Sequence, residues 1–137
     1  MQRPGDVIVA VAFGSAIGGV ARYLLATSLQ ERAGTLFPYG TLAVNLTGCL
    51  LIGFVMRLAL DTGEFSPALR ALLTAGFCGG FTTFSTFAWE TMAEVEEGAF
   101  HRAGLYVGTS LLLGLFAVWT GSAMARALLT TIRRAVT

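Results

Sequence analysis

Apolar residues fall into four long stretches along this chain, separated by short polar connections. The pattern predicts four membrane-spanning helices, at Val7 to about Ser28, Tyr39 to Met56, Ala71 to Trp89 and Ala103 to Ala125. About 20 apolar residues of α-helix cover the hydrocarbon core of a bilayer, and each stretch comes close to that length. The first holds one charge, Arg22, and the other three hold none. Connections this short are not linkers, so residues 1–137 read as a single all-α, four-helix domain.

The connections carry their own signals. The first ends at Phe37-Pro38-Tyr39, where proline suits a helix start and the aromatic rings suit the membrane interface. In the second, Ser66 is placed to cap the third span and Pro67 to be its first helical residue. The third is acidic, with Glu90, Glu94, Glu96 and Glu97 ahead of Gly98, a helix stop. It is expected to prolong the third span as a solvated helix, with Glu94, Glu96 and Glu97 in water; Glu90 borders the span and carries no assignment.

Composition strengthens the membrane reading. Of the residues, 55% are hydrophobic and 12% charged, against roughly a quarter charged in an ordinary soluble domain. The net charge is +1, which leaves no basic surplus for nucleic acid. All the basic residues other than His101 are arginines. Arg3, Arg57, Arg70, Arg126, Arg133 and Arg134 fall on the side of the two termini, and only Arg32 and Arg102 on the other, a bias that favours cytoplasmic termini. Cys49 and Cys78 lie inside spans without CxxC spacing and read as packing residues, while the lone His101 forms neither a metal site nor part of a catalytic triad. Enzymatic function is therefore not expected. Arg3 ahead of an apolar run also fits a secretory signal, yet the three later spans make this a membrane protein either way.

The spans contain polar groups that hydrocarbon does not tolerate singly. Thr41 and Asn45, four residues apart, share one helix face, and Tyr106 and Ser110 repeat the spacing in span four. Such groups act either as interhelical glue or as the lining of a hydrated path. Span three carries GGFTTFSTF, Gly79 to Phe87, with weak helix formers at Gly79 and Gly80 and β-branched Thr82 and Thr83 directly after. A break there is expected, and broken backbone at membrane depth must be buried in protein or face water. Its freed carbonyls would suit a cation. Beyond the break Thr83, Phe84 and Phe87 share a face, with Thr82, Ser85 and Thr86 on another. Phenylalanine ring edges are positively polarised, so together with hydroxyl donors they would suit a small anion without any fixed cation. The GxxxG pairs Gly14/Gly18, Gly76/Gly80 and Gly104/Gly108 indicate close helix contacts.

These residues resemble the signatures of the CrcB/Fluc fluoride channel family. Gly79-Gly80-Phe81-Thr82-Thr83-Phe84-Ser85-Thr86-Phe87 is similar to its central motif, and Gly18-Gly19-Val20-Ala21-Arg22-Tyr23 and Gly40-Thr41-Leu42-Ala43-Val44-Asn45-Leu46-Thr47-Gly48 are similar to two others. The resemblance implies an antiparallel, dual-topology homodimer in the bacterial plasma or inner membrane, enclosing fluoride pores. It implies a structural sodium ion at the dimer centre, held by backbone carbonyls of Gly79 and Thr82. It also implies ring edges from Phe84 and Phe87, an amide donor from Asn45, polar contacts from Thr41, Thr83, Ser85, Tyr106 and Ser110, and an anion-attracting Arg22 at a vestibule. Two features depart from the family pattern: Gly114 stands where relatives can carry a further hydroxyl, and the six-to-two arginine bias contrasts with the balance expected of a chain inserting both ways.

Two other functions remain open on the sequence. A small four-span, proton-coupled multidrug exporter needs an acid within a span, and the four predicted stretches contain none. A non-conducting assembly subunit would use the glycines and polar groups for packing alone.

Overall fold

The computed structural model describes residues 3–136, which are helical apart from short connections. The helices are α1 (Pro4–Ala33), α2 (Tyr39–Thr62), α3 (Pro67–Ala71), α4 (Gly79–Phe81), α5 (Phe84–Glu96) and α6 (Phe100–Val136), with a π-helical segment, Leu72–Cys78, between α3 and α4. Elements α3 to α5 form one interrupted span, so four helical units are long and apolar enough to cross a membrane.

Local chemistry sets the ends. Ser66 Oγ accepts the Leu69 N–H at 3.2 Å and Pro67 occupies the first helical position, as the sequence predicts. Helix α1 closes on Gly34 and α2 on Gly63, both left-handed at φ 59° and 68°. The helices overrun the apolar stretches. At 37 residues, α6 is about 55 Å long against a hydrocarbon core of about 30 Å.

Packing within the bundle runs through glycine. Helix α2 lies along α6, and α1 lies against the π-helical segment. A Cβ on Gly18 would overlap the Phe77 carbonyl oxygen, and one on Gly80 would come within 2.6 Å of the Ser15 carbonyl, so the two GxxxG pairs of these spans bring the backbones together. The third predicted pair does not: a Cβ on Gly104 or Gly108 meets nothing within 4 Å, because that face of α6 points away from the other helices.

The interior is correspondingly small. Among the large side chains of the described residues only Tyr106 and Val44 are fully buried, whereas many leucines and aromatics on the long helices face outward. Apolar surface on this scale requires lipid or a second subunit.

Candidate functional site

The interruption of the third span is built by a side chain from α2. Gly79 keeps helical geometry (φ −64°, ψ −40°), and the chain opens at Thr82 (φ −96°, ψ 159°) and Thr83 (φ −148°, ψ 119°). The break thus falls after the glycine pair, on the β-branched threonines. Asn45 Oδ1 accepts the Thr83 N–H at 2.7 Å, and Asn45 Nδ2 donates to the Thr83 carbonyl at 3.0 Å. In an unbroken α-helix the Thr83 N–H would bond to the Gly79 carbonyl four residues back. Asn45 takes that donor, and the Gly79 carbonyl loses its helical partner. Thr83 Oγ1 then accepts the Thr86 N–H at 3.2 Å and starts α5 as its N-cap.

The break opens onto a cavity of about 670 Å³ between α2, the third span and α6. Gly79, Thr82, Thr83, Phe84 and Phe87 line it from the third span, Asn45 from α2 and Ser110 from α6, and no lining residue is charged. Most of the residues singled out in the sequence therefore meet here. Phe84 is 80% exposed, and its ring centroid lies 5.8 Å from that of Phe87. Ser110 Oγ is buried with no hydrogen-bond partner among the described residues. The N-terminal residues of α5 border the same space, which places the positive end of its dipole there.

Phe87 connects this cavity to a second polar cluster, its ring 5.0 Å from that of the fully buried Tyr106. The Tyr106 hydroxyl donates to Glu90 Oε2 at 2.7 Å, and Thr41 Oγ1 donates to Glu90 Oε1 at 2.7 Å. Thr41 and Tyr106 are thus joined, through a residue to which the sequence assigned no role. Spacing held the clue, since Thr83, Phe87 and Glu90 recur at helical intervals along one face. Glu90 lies inside α5, which runs on past the apolar stretch to Glu96, so the acid sits on a continuous helix at the border of the third span.

Three other expectations are revised or located. Glu94 is not solvated: it is 6% exposed and accepts Arg102 Nε at 2.7 Å, because the turn at Gly98 returns the start of α6 against α5. Glu97 remains exposed and takes Arg102 Nη2 at 3.3 Å. Ser85 is exposed, 3.2 Å from Thr83 Oγ1, and does not line the cavity. Arg22 sits within α1, away from both clusters, its Nε buried with no hydrogen-bond partner among the described residues. Gly114 is buried where a Cβ would lie 3.7 Å from Cys49 Sγ, so it serves the contact of α6 with α2.

Comparison with known proteins bears directly on this arrangement. Residues 9–122 match the family described as CrcB-like protein, Camphor Resistance (CrcB). The chain belongs to that family. A Geobacter sulfurreducens relative is 51% identical over 121 residues, covering 88% of this chain and 98% of its own. Relatives from Acidobacterium capsulatum (48% identical, 81% of this chain and 89% of its own) and Chlorobaculum tepidum (48% identical, 87% and 94%) align over nearly the same extent. Each is named a fluoride-specific ion channel, FluC. With four spanning helices and bacterial relatives, this is a multi-pass bacterial membrane protein.

Proposed function

We propose that this CrcB-like chain is a fluoride-selective ion channel through which intracellular fluoride leaves passively, down its gradient. The observation that carries the reading is the convergence of Phe84, Phe87, the Asn45-braced break and the unpartnered Ser110 hydroxyl on one cavity without a charged side chain. Its relatives, at about half identity over most of the chain, are named for fluoride.

Fluoride is small and holds its water tightly, so a pathway must offer dense donors yet release the ion. Phenylalanine edges, the Ser110 hydroxyl and the second N–H of Asn45 are donors of that kind, and none is a fixed cation that would trap the ion. At the other cluster, the Thr41 and Tyr106 hydroxyls already bind Glu90. An anion reaching them competes with the carboxylate for both donors, which keeps its stay there short. Ser85 acts one step back, through its contact with the Thr83 hydroxyl, and Arg22 acts as a positive charge outside the cavity.

The reading includes a structural sodium ion and an antiparallel homodimer. The Gly79 carbonyl, deprived of its helical donor, and the Thr82 carbonyl in the extended break are the oxygens that would hold the ion. Two carbonyls do not replace a cation's hydration shell, so a second copy must supply more. Exposed Phe84 and the open Gly104/Gly108 face of α6 support a partner on this side.

A proton-coupled exporter is a weaker fit. Although Glu90 provides an acid, it does not line the large apolar cavity where a lipophilic cation would bind. The functional test uses liposomes loaded with potassium fluoride and a fluoride electrode. The wild type empties them, while Phe84→Ile and Phe87→Ile remain dimeric on gel filtration and hold their fluoride. Wild-type efflux in both variants would reduce the rings to packing.

A further inference from the structure

Gly48, on α2, is buried beside the break. A Cβ there would overlap Thr82 Cγ2 and come within 3.4 Å of the Phe81 ring, so the Thr82 methyl fills the space that any other residue at position 48 would use. With the methyl in that notch, Thr82 Oγ1 donates to the Cys78 carbonyl at 2.9 Å, and the Thr82 N–H donates to the same oxygen at 3.0 Å. Side chain and main chain of Thr82 thus share one anchor on the turn before the break.

Two residues of α2 act on the peptide group that follows. Asn45 and Gly48 are three residues apart, on one helix face. Asn45 Oδ1 holds the Thr83 N–H at 2.7 Å, and in a planar trans peptide the Thr82 carbonyl points opposite to that N–H. Gly48 controls the other side of the same peptide, the Thr82 side chain. A threonine side chain moves between staggered positions, in steps of about 120°. The one step that replaces the methyl by hydrogen at Gly48 brings the methyl to the Cys78 carbonyl, where the hydroxyl was. That oxygen then loses one of its two donors.

We propose that Gly48 is a positioning residue for the cation site. By admitting the Thr82 methyl it keeps the Thr82 hydroxyl on the Cys78 carbonyl, and so holds the Thr82 carbonyl, one of the two oxygens assigned to sodium, in a single orientation. Gly48 acts on the ion only through Thr82, and its role rests on the sodium reading proposed above.

Thermal unfolding of the full-length protein, purified in detergent without sodium and titrated with sodium against N-methyl-D-glucamine at constant ionic strength, tests this. The wild-type midpoint is expected to rise as sodium binds. Gly48→Ala should need about fivefold more sodium for half of that rise, the scale of one lost hydrogen bond. Gly48→Ala/Thr82→Ser, which removes the methyl and keeps the hydroxyl, should return the requirement to that of the wild type. A wild-type midpoint indifferent to sodium overturns the sodium reading itself, and the role of Gly48 with it. A wild type that responds, with Gly48→Ala responding at the same concentrations, overturns the role of Gly48 alone: the glycine would then serve packing, and the variant would melt earlier by the same amount in both salts. Failure of Thr82→Ser to rescue also contradicts the role, because the effect would not pass through the methyl. Should Gly48→Ala not fold, Thr82→Val decides, since it keeps the branched shape against Gly48 and removes the hydroxyl. A raised sodium requirement supports the assignment, and one unchanged from the wild type contradicts it.

Discussion

One amide, that of Asn45, satisfies both backbone groups of Thr83 at the interruption of the third span. Asn45→Val would leave an N–H and a carbonyl without partners at membrane depth. The loss of two hydrogen bonds and the exposure of those groups to an apolar wall should cost about 2–4 kcal/mol, visible as a clear fall in the thermal unfolding midpoint. An unchanged midpoint would mean that the break holds itself open. Tyr106→Phe keeps the ring against Phe87 and Phe37 but removes one donor to Glu90. A hydrogen bond to a charged group contributes about 1.5–3 kcal/mol, so this variant should also melt earlier, and more so than Thr109→Val, whose hydroxyl bonds only to its own helix. At this scale the sequence revealed which polar residues were costly and not how they were satisfied. Asn45, Thr41 and Tyr106 were legible as groups in need of partners. Glu90 and Glu94 were not, because their partners come from α2 and α6, and an acidic run looks the same whether water or arginine meets it.

The four spans were legible as elements because a bilayer imposes a minimum apolar length, and the break was legible because glycine and β-branched residues weaken a helix. What fixes it within the run was not, since Asn45, a tertiary partner, sets the opening at Thr82 and Thr83. The π-helical segment left no signal that periodicity could detect. It lies where Gly14 and Gly18 of α1 approach its backbone most closely, and that contact is itself testable. Gly18→Ala would drive a Cβ into the Phe77 carbonyl, and overpacking of this kind costs about 1–3 kcal/mol. Gly104→Ala meets nothing within the chain. It should leave the unfolding midpoint of the subunit unchanged and, if this face meets a partner, lower the dimer fraction measured by light scattering. Equal sensitivity at both glycines would contradict the division between internal and external helix faces.

For the whole molecule, outward-facing leucines and aromatics, an exposed Phe84 and a cavity open on one side are surfaces for lipid and, in the proposed dimer, for a second copy. The proposed sodium ion belongs to that assembly. Preparing the protein with N-methyl-D-glucamine in place of sodium should reduce fluoride efflux without unfolding the helices by circular dichroism, and undiminished efflux would remove the ion from the account. Arginine bias, six against two between the sides, shows that charge alone does not balance insertion both ways. The most direct test of the central claim compares two anions through the same protein. Liposomes containing the wild type and loaded with equal fluoride and chloride are opened to flux with a potassium ionophore, and each anion is followed by its own electrode. Rapid loss of fluoride with chloride retained is the predicted result; no efflux, or efflux of both anions at the same rate, would contradict it.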